Sequence, residues 1–195
     1  MQVHVSAPQV SLKDQQNSDA SAGIVVKFDV TSGPQYNFNG ITWSGNQAMT
    51  GDALTKAIDF KPGDLARQNK LDLAWLQVRH AYGKIGYLQA ELDVNPEFDA
   101  AQHQVIFHAA IAEGPQYHMG ELTISGVSEP LAAKLKAAWK LHPGDVYDDT
   151  YLKTYLQVDA PSALKAGAAA KAWAINPSST VNSQTHVVNI EVQFR

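Results

Sequence analysis

The chain repeats itself at a fixed interval, and this repeat limits the folds open to it more than any other feature. Gly33-Pro34-Gln35-Tyr36 returns as Gly114-Pro115-Gln116-Tyr117, so the residue number shifts by 114 − 33 = 81. The same shift relates further segments: Ser44-Gly45 to Ser125-Gly126, Pro62-Gly63-Asp64 to Pro143-Gly144-Asp145, Gly86 to Gly167, and Asn95-Pro96 to Asn176-Pro177. An ungapped period of this kind is typical of tandem structural units. We therefore expect two copies of one module, at 34–114 and 115–195.

Most of the repeated residues form turns rather than carry out chemistry. Proline restricts φ to a narrow negative range and glycine reaches positive φ, so Pro62-Gly63-Asp64 and its copy have a mechanical reason to recur. A repeated catalytic unit would instead preserve His, Asp, Glu or Ser, and those positions mostly differ between the copies. The pattern favours a binding or scaffolding protein and argues against an enzyme.

The first copy predicts a β-α-α-β-β order. Apolar residues at Leu71, Trp75, Val78, Tyr82 and Ile85 follow the helical period, and Gly86 then occupies a position typical of a helix end. Alternating patterns and turn signals predict the remaining elements: a strand over 36–43, a short helix over 50–58 capped by Thr50, and strands over 88–94 and 105–111 joined by a polar loop at 95–104. The fold class is α+β, with each three-stranded sheet covered on one face by two helices.

The second copy repeats this order with one departure. The pattern predicts strands over 117–124, 170–175 and 186–194, a short helix over 130–139 and a longer helix from Thr150. Pro161 falls inside that longer helix, where proline costs about 3 kcal/mol. We expect a break or kink near Asp159-Ala160. Asp148, Asp149 and Thr150 are interpreted as helix-capping residues.

Residues 1–33 resemble the end of a preceding module. Alternating apolar residues, among them Ile24, Val26, Phe28 and Val30, predict a two-stranded hairpin without the first strand and helices of a module. Such a hairpin is marginally stable alone. It is expected to pack on the next module, to pair with another chain, or to be poorly ordered. The opening strand without a leader pattern favours a fragment of a longer chain.

Composition excludes several classes of protein. Hydrophobic residues make up 45% and charged residues 17%, with a net charge of −4, so the chain is globular and has no basic stripe for nucleic acid. Cysteine is absent, which removes disulfides and thiolate metal sites. No apolar run reaches the roughly 20 residues that a membrane-spanning helix needs.

No cofactor or metal site is expected. His80, His103, His108 and His118 lack metal-ligand spacing, and Asp145, Asp148 and Asp149 are not followed by a calcium-loop pattern. No phosphate-binding loop or nucleophile elbow is present either. The four tryptophans, Trp43, Trp75, Trp139 and Trp173, fall on apolar faces and are expected in the core, with Trp43 and Trp139 as candidates for a module junction.

The chain resembles the POTRA family. The residues that carry the resemblance are Gly33–Asn46, the Pro62–Asp64 turn and Gly86-Tyr87-Leu88, together with the order of elements. The second copy departs from the pattern at Gly167-Ala168. The resemblance covers nearly the whole chain.

The resemblance implies a periplasmic arm attached to an outer-membrane β-barrel that is missing from this chain. A BamA-like insertase arm is favoured, binding unfolded outer-membrane proteins and accessory lipoproteins by β-augmentation; a two-partner-secretion or TamA-like translocator arm and a purely structural envelope scaffold remain alternatives. The family's usual docking edge is the strand after the long helix. In the first copy it comprises Leu88, Gln89, Ala90, Glu91, Leu92, Asp93 and Val94. In the second copy the docking edge is 170–175, which is less favoured than the first. Strand pairing between this protein and another chain is a further expected interaction.

Overall fold

Two three-stranded sheets with helices on one face make up most of the molecule. The computed structural model describes residues 3–12, 24–165 and 174–195. The strands are β1 (Val3–Val5), β2 (Gln9–Leu12), β3 (Ile24–Lys27), β4 (Val30–Ser32), β5 (Asn37–Ser44), β6 (Glu91–Asp99), β7 (Gln104–Ala112), β8 (His118–Ser125), β9 (Ile175–Asn182) and β10 (Val187–Phe194). The helices are α1 (Gly51–Ala57), α2 (Gln68–Gly83), α3 (Glu129–Ala137), α4 (Tyr151–Thr154) and α5 (Ala160–Lys165), with a π-helical turn at Tyr155–Asp159.

The two sheets have the same topology, and the predicted α+β fold class is confirmed. The first sheet has the order β5-β7-β6 and the second β8-β10-β9. In each sheet the first strand, β5 or β8, pairs in parallel with the central strand, β7 or β10. The remaining strand, β6 or β9, pairs antiparallel with the central strand. The parallel pair requires a crossover, which the two helices supply. The sequence repeat therefore corresponds to a repeated β-α-α-β-β unit.

The repeated Pro-Gly-Asp turn covers part of the edge of the first strand. Gly63 donates its N–H to the Phe38 carbonyl oxygen at 2.8 Å, and the Phe38 N–H donates to Asp64 O at 2.7 Å. Gly63 has φ +92°, a conformation that favours glycine. In the second module Gly144 N–H and Asp145 O bond Met119 in the same way, at 2.7 and 2.8 Å. The motif is repeated because it closes the same backbone edge in both modules.

The helices of the first module begin and pack largely as predicted. The Thr50 side chain accepts the Ala53 N–H at 3.2 Å and caps α1. Leu71, Val78 and Tyr82 on α2 are buried, as their periodicity predicts. They join the first core, whose buried members are Phe38, Leu54, Ile58, Phe60, Leu71, Ala74, Val78, Tyr82, Val105, Phe107 and Ile111. At the end of this helix Gly86 has φ +84°, which confirms its predicted helix-ending conformation.

The helix does not break at Asp159-Ala160, where a break or kink was predicted. The chain stays helical from Tyr151 to Lys165, and its hydrogen bonding widens to a π-helical turn at Tyr155–Asp159, just before Pro161. Proline has no N–H to donate to the preceding turn, and a π-helical turn is a local way to absorb such a mismatch without ending the helix. Tyr155, at the start of this turn, is fully buried and donates its hydroxyl to the Leu135 carbonyl oxygen at 3.0 Å.

The strand bounds around the hairpins differ from the prediction. β6 begins at Glu91 and runs through Asn95-Pro96 to Asp99, so the predicted 95–104 loop shrinks to 100–103. β9 covers Ile175–Asn182 instead of 170–175; residues 170–173 of that prediction, Trp173 among them, lie outside the described residues. The cause is the same in both copies: proline is tolerated in an edge strand, so Asn-Pro does not end it.

The N-terminal residues form the predicted hairpin in two parts. β1 pairs antiparallel with β4 and β2 with β3, with an interruption where Ser6 donates its N–H to Asp29 O at 2.9 Å. Val10, Ile24 and Val30 are more than 60% exposed. Within the described residues the four strands contact only one another, so the hairpin is not packed on the following module.

Candidate peptide-docking edge

β6 forms one edge of the first sheet. Its residues, Glu91–Asp99, all pair with β7, and no other described strand pairs with β6. Since β6 has a neighbour on one side only, half of its backbone N–H and C=O groups face outward. These groups are available to an added strand.

The position of Pro96 indicates which groups face outward. A proline is accommodated in an edge strand where its nitrogen points away from the neighbouring strand. In an antiparallel ladder the outward positions alternate along the strand. We infer that Leu92, Val94 and Phe98 share the outward direction of Pro96, so an added strand finds donors at those three positions and none at Pro96.

The side chains of β6 divide between two chemically different faces. Leu92, Val94, Pro96 and Phe98 lie opposite Ile111, Ala109, Phe107 and Val105, which are buried beneath the helices. The outer face carries four carboxylates, at Glu91, Asp93, Glu97 and Asp99, on a surface without helices. The strand is therefore apolar toward the helices and acidic toward solvent.

Two separate openings lie at the ends of β6. The opening at the Asp99 end is a cavity of about 420 Å³, lined by Pro34, Gln35, Tyr36, Leu65, Ala66, Arg67, Gln68, Asn69, Leu71, Pro96, Phe98, Val105 and Phe107. Phe98 is 43% exposed and packs on Tyr36 with ring centroids 4.7 Å apart. A shallower opening at the other end contains Arg79 and residues 88–92. Side chains of a docked strand could enter either opening.

The structure brings only part of the predicted docking segment onto the edge. Glu91, Leu92, Asp93 and Val94 lie on β6, but Leu88, Gln89 and Ala90 form a turn that precedes it. Leu88 N–H donates to Gly86 O at 3.1 Å and Ala90 N–H to Tyr87 O at 3.4 Å, so this backbone is used within the turn. The missed part of the edge is Asn95–Asp99, and the alternation of Pro96 with Phe98 was its only sequence signal.

Leu88 belongs to the junction between the modules. Its side chain packs against the second core, which contains Tyr117 and Trp139. Beside it, Tyr117 N–H donates to Gly86 O at 2.8 Å, and Gln116 Nε2 donates to Ile85 O at 2.9 Å. The turn after α2 is thus hydrogen-bonded to the first strand region of the second module.

Asp149 also lies at this junction rather than serving only as a helix cap. Its N–H donates to Gly83 O at 3.2 Å, and a Cβ at Gly83 would overlap the Asp149 carboxylate. Burial, with a smaller contribution from Asp148, raises the pKa of Asp149, against opposing effects of His80 and Lys84. Thr150 is the N-cap of α4 and makes no side-chain cap hydrogen bond, while Asp148 Oδ1 accepts the Thr150 N–H at 2.9 Å just before the helix.

The expected roles of the tryptophans need one correction. Trp139 is 7% exposed and stacks edge-on with Tyr151 and Tyr155 in the second core. Trp43 is partly buried and donates its Nε1–H to Thr55 Oγ1 at 2.9 Å within its own module. Trp43 is therefore only partly in the core that was predicted for it.

The edge strand of the second module has a different character. β9 pairs only with β10 among the described strands, and its sequence, INPSSTVN, has no charged residue. Val181 on its inner face is 48% exposed. The two modules thus present one acidic and one uncharged edge.

The outer face of the first sheet carries a polar network. His108 on β7 contacts Glu97 Oε2 through Nε2 at 2.8 Å and Thr42 Oγ1 through Nδ1 at 2.9 Å. All three groups are solvent-exposed, so the network fixes Glu97 rather than forming a buried reaction centre. Among the residues that the structure describes, no three His, Asp or Glu side chains are grouped to hold a metal ion. No helix within the described ranges is long and apolar enough to cross a membrane.

Comparison with known proteins agrees with this architecture. The POTRA family model, described as a surface antigen variable number repeat, matches residues 36–114. A curated protein of Treponema pallidum described as "Putative outer membrane protein assembly factor" is 26% identical over 133 residues, which are 68% of this chain and 16% of the relative. The chain therefore spans about one sixth of that relative's length.

Two solved structures share the fold. POTRA domains 3–5 of Haemophilus influenzae BamA align with a TM-score of 0.58 at 16% identity, covering 99% of this chain and 72% of that one. BamA of Haemophilus ducreyi lacking POTRA domains 1–3 also gives a TM-score of 0.58, at 18% identity, covering 82% of this chain and 29% of the other.

These observations define the described part of the chain as β-α-α-β-β modules, each with an edge strand, β6 or β9, that no second described strand covers. The POTRA family model assigns residues 36–114 to that family, and the second module repeats the same sheet topology. The resemblance drawn from the turn residues is thereby confirmed.

Proposed function

We propose that this chain is part of the periplasmic arm of a BamA-like outer-membrane protein insertase. In this role β6 accepts a strand of an unfolded outer-membrane protein or an accessory lipoprotein by β-augmentation. The observation that carries the proposal is the outer edge of Glu91–Asp99, which no described strand covers. The match of residues 36–114 to the POTRA family model and the description of the Treponema relative support it.

Main-chain hydrogen bonding suits a site for many substrates, because it does not require particular side chains. The first strand of the module is a poorer site. Its beginning is bonded by the Pro-Gly-Asp turn, and the register shifts between Phe38 and Gly40. A bulge bends an edge away from regular pairing. We propose that substrate strands add on the β6 side of the sheet.

The full-length protein is proposed to contain modules at 34–114 and 115–195, the end of another at 1–33, and a C-terminal barrel in the outer membrane. A two-partner-secretion or TamA-like translocator would use the same edge. A purely structural scaffold is favoured by one observation, the hydrogen-bonded junction at Gly86 and Tyr117, which suits a spacer of fixed geometry.

Site-specific photocrosslinking in cells that express the full-length protein tests the proposal. A crosslinker at Glu91 or Asn95, on the exposed face of β6, is expected to capture outer-membrane proteins. The matched control is a crosslinker at Lys61, which is exposed on the turn that covers the other edge. Equal capture at Lys61, or none at β6, would contradict docking on this edge.

A proline on the edge provides a second test. Val94→Pro removes an N–H that we infer to face outward while keeping the β7 ladder. The variant should reduce crosslinking at Glu91 several-fold while the isolated chain unfolds at nearly the same temperature. Unchanged capture in a folded variant would exclude main-chain pairing at this position.

A further inference from the structure

We infer that the β6 edge is selective. It favours a strand with Lys or Arg on the face shared with Glu91 and Asp93, and with one large apolar side chain on the other face, seated beside Phe98. The inference rests on the proposed function, since it concerns which strands the same edge takes.

The charge of the outer face supports the first requirement. Glu97 is held by His108 at 2.8 Å, and Asp99 Oδ1 accepts two N–H groups of the 100–103 loop at 2.9 Å each. Glu91 has no described hydrogen-bond partner, and Asp93 has only a 3.4 Å contact from Asn95 Nδ2. Two carboxylates on one face of the strand therefore remain available.

An added strand would bring its own side chains close to these carboxylates. Directly opposed residues on neighbouring antiparallel strands have Cβ atoms about 4.5–5.5 Å apart, and like charges in that position destabilise the pair. No lysine or arginine occurs on β6 to offset Glu91 and Asp93. Basic side chains opposite them are favoured and acidic ones are disfavoured.

The cavity beside Phe98 supports the second requirement. At about 420 Å³ it is large enough for an aromatic or leucine side chain, and its walls include Tyr36, Leu71 and Phe107. It opens on the inner face of β6, where Phe98 is 43% exposed. Covering these rings with an apolar side chain removes apolar surface from water.

The two requirements fix a register. Along β6, Phe98 follows Asp93 by five positions (98 − 93 = 5) and Glu91 by seven (98 − 91 = 7). Odd separations place side chains on opposite faces of a strand. A matching strand therefore has its apolar anchor five and seven positions from its basic residues, and moving the basic residues by one position places them on the wrong face.

Binding of synthetic peptides to the full chain tests this. The test peptide is as long as β6 and carries a Phe anchor with Lys at the fifth and seventh positions from it. Three matched peptides differ from it in one respect each: Glu replaces both Lys residues, both Lys residues are shifted by one position, or Ala replaces the Phe anchor. Fluorescence anisotropy at about 0.05 M salt is expected to show about tenfold tighter binding of the Lys than of the Glu peptide, with the difference shrinking at about 0.5 M. The shifted and Ala-anchored peptides should bind at least about fivefold more weakly.

Variants of the protein assign each effect to its residues. Glu91→Gln with Asp93→Asn should reduce the Lys/Glu preference to about twofold, whereas Glu121→Gln, on β8 of the other sheet, should leave it unchanged. Phe98→Ala should weaken the Phe-anchored peptide by about fivefold and leave the Ala-anchored peptide unchanged.

The outcomes separate selectivity from docking itself. If Lys and Glu peptides bind β6 equally, the edge docks strands without selection and this inference is wrong while the proposed function stands. If no peptide shifts the amide resonances of Leu92, Val94 and Phe98, docking on β6 is itself contradicted. Binding that follows the charge but ignores the register and the anchor would also overturn the inference, because a diffuse acidic surface would then suffice.

Discussion

Tyr117 donates its backbone N–H to the carbonyl oxygen of Gly86 at 2.8 Å, so the second module begins on the turn that ends α2 of the first. Gly86 has φ +84°, and a Cβ there would lie 2.6 Å from Tyr117 O. One glycine thus serves both as a helix-ending residue and as the contact point of two modules.

Gly86→Ala should lower the free energy of unfolding more than Gly63→Ala. Both glycines have positive φ, which costs a non-glycine residue about 1–2 kcal/mol, but only Gly86 has a close neighbour, since no atom lies within 4 Å of a Cβ at Gly63. Chemical denaturation should show an excess loss of about 1 kcal/mol or more at Gly86. Equal losses in the two variants would mean that the junction does not constrain this turn.

Gly83→Ala should fail to raise the free energy of unfolding, as the same change usually does at a helical position. Alanine is normally favoured over glycine in a helix by about 1 kcal/mol, but here the new Cβ would overlap the Asp149 carboxylate. In an Asp149→Ala background the same change should recover that gain. A double-mutant cycle measured by denaturation tests the coupling, and additive changes would exclude it.

Asp149→Asn should stabilise the protein at neutral pH. Because burial raises the pKa of Asp149, the folded state binds more protons than the unfolded state at pH values just above the ordinary aspartate pKa. Its contribution to stability therefore falls as pH rises through that window. Denaturation between pH 3 and pH 7 should show that the stability of the variant relative to the wild type increases as pH rises. A stability difference that does not change with pH would contradict the raised pKa of Asp149.

Asp159→Asn should show the opposite dependence. Hydrogen bonds from Lys140 Nζ and Tyr151 Oη, each 2.9 Å, lower the pKa of Asp159. That contribution is present above the ordinary aspartate pKa and is lost as pH falls through the lower folded-state value. The variant should be less stable than the wild type at pH 7 and approach it in acid, with Glu121→Gln as the surface control.

Two buried tyrosines should respond differently to loss of the hydroxyl. Tyr155→Phe removes the bond to Leu135 O and should cost about 1 kcal/mol. The Tyr117 hydroxyl is buried with no partner among the described residues, so Tyr117→Phe should be neutral or slightly stabilising. Thermal unfolding of the two variants checks this, and a larger loss at Tyr117 would reveal a bond that the geometry does not contain.

Local signals in the sequence predicted the fold well. Thr50 and Gly86 mark helix ends through interactions with neighbouring residues, and the repeat register relates one module to the next. The Asn95-Pro96 pair misled the strand prediction because proline is a loop signal in isolation. Only the pairing with β7 shows that β6 continues to Asp99.

The candidate site was predicted less completely, because its missing parts depend on distant residues. Leu88 alternates with Ala90 and Leu92 as a strand residue would, yet it packs on a core contributed by the second module. The cavity beside Phe98 needs Tyr36, which precedes β5, and Leu71, which lies on α2. No local pattern contains these contacts.

The Pro-Gly-Asp turn leaves β6 and β9 as the strands whose outer edge is uncovered by described residues along the whole strand. The turn hydrogen-bonds Phe38 in the first module and Met119 in the second, so the beginning of β5 and of β8 is not available to an added strand. Modules with only one edge open along its whole length are hindered from joining edge to edge into a continuous sheet, since each such union uses the edge needed for the next. Under the proposed function, an array of such modules would hold a strand at each module at high local concentration and still remain a chain of separate units.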